Sequence, residues 1–281
     1  MKVLITGRGG MLARAVNSEL TARNHSPTWM ANPEADITVP AAIRTVANHL
    51  EPDWVFNLAA MTRVDDCESN PAQAYTVNGT GAKIVAEAAR AVGACVLQVS
   101  TDYVFPGDAS RPYREDDPTG PLSIYGKSKL MGELAVREAA PDRHVIVRTA
   151  WLYGAGGTNF VDTILRKARA GEPLKVVDDQ RGAPTWTVDL AKALVRLMEV
   201  DARGTFHCTS RGDCTWFDLA GAAIEMAGAK TKLERTDTES LARPAPRPRY
   251  SVLDCGKFER IAGMTMPDWR DALKRYLAGG A

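Results

Sequence analysis

Tyr125 and Lys129 lie four residues apart in the segment Ile124-Tyr-Gly-Lys-Ser-Lys129. On a helix that spacing projects both side chains from one face. A free phenol has a pKa near ~10 and exchanges its proton poorly at neutral pH. An ammonium beside it favours the phenolate and brings the phenol toward the working range. Such a pair suits general acid catalysis in the reduction of a carbonyl, where the phenol protonates the alkoxide formed. The same spacing also fits a packed tyrosine beside a solvated lysine, so the surrounding segments must decide. One of them is Ser100-Thr101-Asp102, which closes an apolar run. A hydroxyl at the carboxyl end of a strand, such as that of Thr101, is placed to hydrogen-bond the carbonyl being reduced.

A second segment points to the reductant. The apolar run at 2–6 leads into Gly7-Arg-Gly-Gly10-Met-Leu-Ala13. Glycines at such a turn let the backbone approach a pyrophosphate, and the helix that Met11 and Leu12 open offers free N–H groups and a positive dipole end. Ala13, in place of a third glycine, is small enough for close helix–strand packing. A carboxylate about 20 residues further on would bind the ribose hydroxyls of NAD. Trp29-Met30-Ala31-Asn32 has none, which favours NADPH, with Arg8 facing its 2′-phosphate and NADH still usable. Asp36-Ile37 edges the adenine, or Asp36 caps a helix over 39–50.

The elements that must position these groups follow from the apolar pattern. Short runs at 2–6, 53–57, 94–99 and 144–149 alternate with helical stretches at 10–22, 71–92 and 122–140. Apolar strands separated by helices indicate a doubly wound parallel sheet of Rossmann type in an α/β fold. After about 150 the alternation weakens. Helices near 158–170, 187–200, 215–228 and 267–278 are interleaved with strands near 174–177 and 205–209. The expected division is a nucleotide-binding region over 1–150 and a smaller lobe over 151–281, partly interleaved with the first. Arg243-Pro-Ala-Pro-Arg-Pro-Arg-Tyr250 cannot be helical, since its prolines remove donors and fix φ.

Bulk properties narrow the partners. The 281 residues are 45% apolar and 25% charged, and 35 Lys plus Arg balance 34 Asp plus Glu. That balance argues against nucleic acid or membrane headgroups as partners. No run reaches the ~20 apolar residues of a membrane span, and the N-terminal apolar stretch is too short for a signal peptide. The cytoplasm is the expected location. The five cysteines form no Cys-x-x-Cys pair. Cys208 and Cys214, beside His207, read as reduced buried thiols rather than zinc ligands.

Further segments carry a resemblance: Ile5-Thr-Gly7, Asp36-Ile-Thr38, Asn57-Leu-Ala-Ala60, Val64-Asp65, Val77-Asn78, Ser100-Thr-Asp-Tyr-Val-Phe105 and Tyr125-Gly-Lys-Ser-Lys129. Later come Arg148-Thr-Ala-Trp-Leu-Tyr-Gly154, Asn159-Phe160, Asp179-Gln-Arg-Gly-Ala-Pro-Thr185 and Met266-Pro-Asp-Trp269. Over nearly its whole length the chain resembles the extended short-chain dehydrogenases/reductases and, within them, the dTDP-4-dehydrorhamnose reductase family. The Gln-x-Gly-Ala-Pro-Thr and Pro-Asp-Trp blocks are the specific ones.

The resemblance implies hydride transfer from NADPH to the C4 ketone of a dTDP-4-keto-deoxysugar, dTDP-4-dehydro-L-rhamnose. Tyr125 would protonate the alkoxide. Lys129 would tune the phenol and hold the nicotinamide ribose, and Thr101 would orient the carbonyl. Gly7, Gly10, Met11 and Leu12 would meet the cofactor, as would Asp36, Ile37, Ala59 and Ala60. Thr101, Tyr103, Trp151, Asn159, Gln180 and Arg181 fall at substrate positions, although Trp151 also reads as core and Arg181 as a solvated charge. Two departures stand out. Met61 occupies a place where the family often has an aromatic or histidine. The first helix has no carboxylate until Glu19, whereas some relatives use one in a magnesium-bridged dimer. No metal ligand set is assigned, and Mg²⁺, monomer and homodimer all stay open.

Three other readings compete. A nucleotide-sugar 4,6-dehydratase would carry a carboxylate where Tyr103 follows Thr101-Asp102, and a phenol replaces it poorly. A non-catalytic subunit like the methionine adenosyltransferase β subunit would not need Thr101, Tyr125 and Lys129 intact. Reduction of a different 4-keto sugar nucleotide is the third alternative.

Overall fold

The apolar runs become strands buried on both faces. In the computed structural model, which describes residues 1–7, 9–30 and 36–279, these are β1 (Lys2–Ile5), β3 (Trp54–Asn57), β4 (Cys95–Thr101) and β5 (His144–Thr149), and a further strand, β2 (Ser26–Trp29), is only partly buried. With the strand Gly204–His207 they form one six-stranded sheet, in the order β2, β1, β3, β4, β5, Gly204–His207. Every neighbouring pair is parallel. The winding direction reverses between β1 and β3, and in such sheets the crevice for a ligand opens there, beyond the carboxyl ends of the strands.

Strand periodicity divides the core into two layers. Val3 and Ile5 of β1 face the helices Met11–Ala22 and Thr187–Glu199, with Leu12, Val16, Leu190 and Leu194. Leu4 faces the opposite layer, built on Pro40–Leu50, Ala82–Ala91 and Ile124–Ala139, with Ile43, Val85 and Val136. The doubly wound sheet expected from the sequence is present. Residues after 150 return to it, since Phe206 and Phe258 share the core of Val3 and Ile5.

The remaining lobe packs Phe160–Arg169, Trp216–Met226 and Trp269–Leu277 around Tyr153, Leu165, Leu219 and Leu273. A parallel pair, Leu174–Val177 with Leu233–Thr236, extends it. Its Pro-Asp-Trp block is structural here. Asp268 caps the last helix by accepting from Arg270 N at 2.8 Å, and Trp269 is buried.

One helix differs from expectation. The stretch read as continuous over 71–92 is α-helical at Pro71–Ala74, a π-helix at Tyr75–Gly81 and α-helical again at Ala82–Ala91. Such insertions accompany functional sites, and this one aims the Asn78 amide. Asn78 accepts from Met61 N at 2.8 Å, donates to Met61 O at 3.0 Å and donates to Ser128 Oγ at 2.9 Å. It thereby ties the loop after β3 to the Ile124–Ala139 helix. That helix comes close because Gly132 and Gly126 carry no side chain. A Cβ on them would stand 2.2 Å from the carbonyl oxygens of Asn78 and Tyr103 respectively.

Candidate active site

The turn after β1 is fixed by buried polar contacts. Thr6 Oγ1 donates to Asn57 Oδ1 at 2.6 Å and accepts from Ala59 N at 3.2 Å. Gly7 has φ +80°, and a Cβ there would lie 2.8 Å from the backbone of Leu58 and Ala59. Only glycine fits both demands. The helix that follows has Gly10 at its N-cap with no side-chain cap, so its first amides are left for an anion. Gly7, Gly10, Met11 and Leu12 line a cleft of about 1020 Å³ beyond the strand ends. Asp36, Ile37, Ala59 and Ala60, also expected at the cofactor, line it too.

Asp36 does not cap the next helix, whose N-cap is Val39. Its carboxylate accepts from Thr38 N at 2.9 Å and Thr38 Oγ1 at 2.7 Å, and these bonds hold it below the usual carboxylate range. Arg8, Ala31 and Asn32, which bear on the cofactor's 2′ position, lie outside the described residues.

Tyr125 and Lys129 sit on the predicted helix, capped by Ser123, which accepts from Gly126 N at 3.1 Å. Both line the cleft with Thr101, whose hydroxyl donates to Asp102 Oδ1 at 2.9 Å. The electrostatics differ from those read off the spacing. Enclosure by protein pushes the Tyr125 phenol up, and the Thr101 hydroxyl works against that rise. The Lys129 ammonium donates to Val99 O at 2.6 Å, and burial brings its pKa down to about 8 against the pull of Glu133. At the phenol, burial outweighs the lowering influence of the Thr101 hydroxyl.

The substrate positions divide. Tyr103 meets Tyr125 edge-on at 5.7 Å between ring centroids. Trp151 lines the cleft at φ +47°, stacked 3.8 Å from Trp216 at 9°. A bulky residue with positive φ is strained and is kept only where its surroundings fix it. Asn159 also lines the cleft, but its amide is committed: Oδ1 accepts from Asp162 N at 3.0 Å, and Nδ2 donates to Gly154 O at 3.0 Å.

Gln180 and Arg181, also expected at the substrate, are not among the residues that line the cleft. Buried Gln180 donates to Thr238 Oγ1 at 2.8 Å, and Arg181 pairs with Asp213. Arg181 and Gly182 pair antiparallel with Thr215 and Cys214. From the same segment Gly182 packs behind Trp151, where a Cβ would stand 2.6 Å from the ring.

The structure adds groups not assigned from sequence. Asp102 is 1% exposed, lines the cleft and is pushed up to about 6 by burial; its Oδ2 lacks a hydrogen-bond partner among the described residues. It lay inside the Ser100-Thr101-Asp102 triplet, but its burial gave no local signal. Thr149 Oγ1, also at the cleft, is likewise unpartnered, and Thr62, Arg63 and Trp216 complete the far wall. Among the described residues no group of three His, Cys, Asp or Glu could hold a metal ion. Cys208 and Cys214 are buried free thiols.

Comparison with known proteins places this cleft in a family. The RmlD substrate binding domain model matches residues 1–280. A dTDP-4-dehydrorhamnose reductase of Streptomyces griseus is 47% identical over 276 residues, covering 96% of this chain and 91% of the relative. A dTDP-4-keto-6-deoxy-D-glucose reductase of Streptomyces niveus is 40% identical over 272 residues, covering 96% and 94%. The crystal structure of a dTDP-4-dehydrorhamnose reductase from Bacillus anthracis in complex with NADP superposes with a TM-score of 0.95 at 35% identity, over 99% of both chains.

Proposed function

The chain belongs to the dTDP-4-dehydrorhamnose reductase family, and from that membership we propose that it uses NADPH to reduce the C4 ketone of dTDP-4-dehydro-L-rhamnose. As a family member it is an NAD(P)H-dependent oxidoreductase. The observation that carries the proposal is the convergence of Thr101, Tyr125 and Lys129 on the cleft that also receives Gly7, Gly10 and the uncapped helix start.

The residues present fit a dinucleotide. The turn glycines leave room beside the first-helix amides for a pyrophosphate, Asp36 and Ile37 edge the adenine end, and Ala59 and Ala60 form a small-residue wall. Bound NADPH supplies the hydride. Tyr125 donates the proton that the alkoxide needs, and its raised pKa keeps it protonated until then. Thr101 orients the carbonyl. Lys129 binds the nicotinamide ribose. Tyr103 and Trp151 shape the sugar-nucleotide end, and Trp216 backs Trp151.

The missing carboxylate at 29–32 and the NADP held by the Bacillus anthracis relative both favour NADPH over NADH. A second reading, reduction of another dTDP-4-keto-deoxysugar, is favoured by the Streptomyces niveus relative. The test is incubation with NADPH or NADH and a panel of dTDP-4-keto sugars, with products identified by NMR. Fast oxidation with a different keto sugar alone overturns the substrate assignment. Background oxidation with every one of them overturns the reductase reading.

A further inference from the structure

Tyr125, Lys129 and Glu133 stand at successive i, i+4 positions on the Ile124–Ala139 helix, along one face. The third has no part in the reading above. Its side chain is 0% exposed, and its carboxylate accepts from Ser100 Oγ at 2.6 Å, Arg148 Nε at 2.9 Å, Arg148 Nη2 at 2.7 Å and Arg137 Nη2 at 3.2 Å. A buried carboxylate is costly unless paired and fully hydrogen-bonded. Ordinary helix packing would use an apolar residue here.

What distinguishes the site is what it grips. Lys129 Nζ donates to Val99 O, and Ser100 Oγ donates to Glu133. Two side chains one turn apart thus hold two consecutive residues of β4, immediately before Thr101. Arg148, on β5, is the register partner of Ser100. It also donates to Glu115 O at 3.3 Å and stands 3.4 Å from His207 Nε2, while Arg137 donates to Thr205 Oγ1 at 3.0 Å. The charged and titratable groups around Glu133 are therefore Lys129 and Arg137 on its own helix, Arg148 on β5, His207 on the next strand and Glu115 in the covering loop.

We propose that Glu133 is a positioning residue for the reduction: through Ser100 it sets the catalytic helix against the end of β4, and its negative charge keeps Lys129 an ammonium. The inference rests on the reading of Thr101, Tyr125 and Lys129 as the reducing machinery. Burial lowers the lysine's pKa, and the charge of Glu133, one turn away, opposes that lowering.

The test compares the parent with Glu133→Gln, which removes charge but keeps shape, and with the double variant Glu133→Met, Arg148→Met. Replacing both members of a buried ion pair leaves no lone charge behind and is often tolerated. Ser100→Ala, a small change, removes one bond to the carboxylate. NADPH affinity is titrated by fluorescence from pH 6.5 to 9.5, which needs no sugar and so is independent of the substrate assignment. In the parent, affinity should fall as Lys129 loses its proton. In Glu133→Gln the midpoint of that fall should move down by about one pH unit, and in the double variant, which removes both charges, by less. At saturating NADPH, kcat should fall about tenfold at pH 8 with KM for the keto sugar little changed. Ser100→Ala should lower kcat severalfold while leaving the midpoint in place. The proposal is overturned if Glu133→Gln folds and keeps the parent's midpoint, or if Ser100→Ala keeps the parent's kcat.

Discussion

At Tyr125 burial and the Thr101 hydroxyl act in opposite directions, and burial is the larger. Reduction consumes a proton, so a phenol kept protonated is in the right state to donate. Tyr125→Phe keeps the ring and removes the donor. We expect kcat to fall by ~10²–10⁴-fold with NADPH affinity retained, read by steady-state kinetics and a cofactor titration. Lys129→Met should raise KM for NADPH as well as lower kcat, because it loses a contact and a charge together. Thr101→Val should be milder than Tyr125→Phe. A Tyr125→Phe enzyme within about threefold of the parent, less than one kcal/mol of barrier, would make Tyr125 a packing residue.

Elements decide what the substrate end presents. The segment carrying Gln180 and Arg181 acts through Gly182, whose bare Cα lets the Trp151 indole lie flat on Trp216. Gly182→Ala forces a Cβ into that ring. The expected result is a rise of about tenfold in KM for the sugar nucleotide, unchanged NADPH affinity, and roughly 1–3 kcal/mol of lost stability. Arg181→Ala removes an exposed ion pair with Asp213, which contributes little. Its KM should stay within about threefold of the parent. The reverse order of effects would return Arg181 to the substrate.

For the whole molecule, two buried groups set the acid response with opposite signs. Burial and the Arg148 charge lower His207 to about 3. The fold holds it neutral while the unfolded chain takes a proton below ~6.5, so this stability is full above that pH and is lost as pH falls toward 3. Asp102 is raised to about 6. Its contribution is full below the ordinary carboxylate value near ~3.9 and is lost as pH rises through 6. Between about pH 4 and 6 the two oppose each other. Asp102→Asn should stabilise the protein above pH 6 by roughly 1–3 kcal/mol and leave a steeper loss toward pH 4, measured by thermal unfolding across pH. A lower Tm than the parent at pH 8 would contradict it. Activity should persist in EDTA, because a protein acid supplies the proton and the described residues hold no three-ligand cluster. Loss that Mg²⁺ restores would reveal a metal role.

Local order is legible from the chain. Apolar strand runs, helix spacing, the glycine turn and the Tyr125/Lys129 interval depend on neighbours a few residues apart, and strand and helix periods write them directly into the sequence. So the parallel sheet, the cofactor turn and the shared face of Tyr125 and Lys129 all follow from residue order alone. The π-helix at Tyr75–Gly81 does not, because it answers to Asn78 reaching Met61 and Ser128. Nor do the partners of Gln180 and Arg181, Thr238 and Asp213, or the stacking of Trp216 on Trp151. The state of each titratable group also belongs to the tertiary structure. Burial decides whether Asp102, Tyr125 and Lys129 hold a proton, and Glu133 meets Arg148 and Ser100 only when helix and strands assemble. Spacing along a chain specifies which side chains can share a face; only packing specifies how much water and which charges they keep.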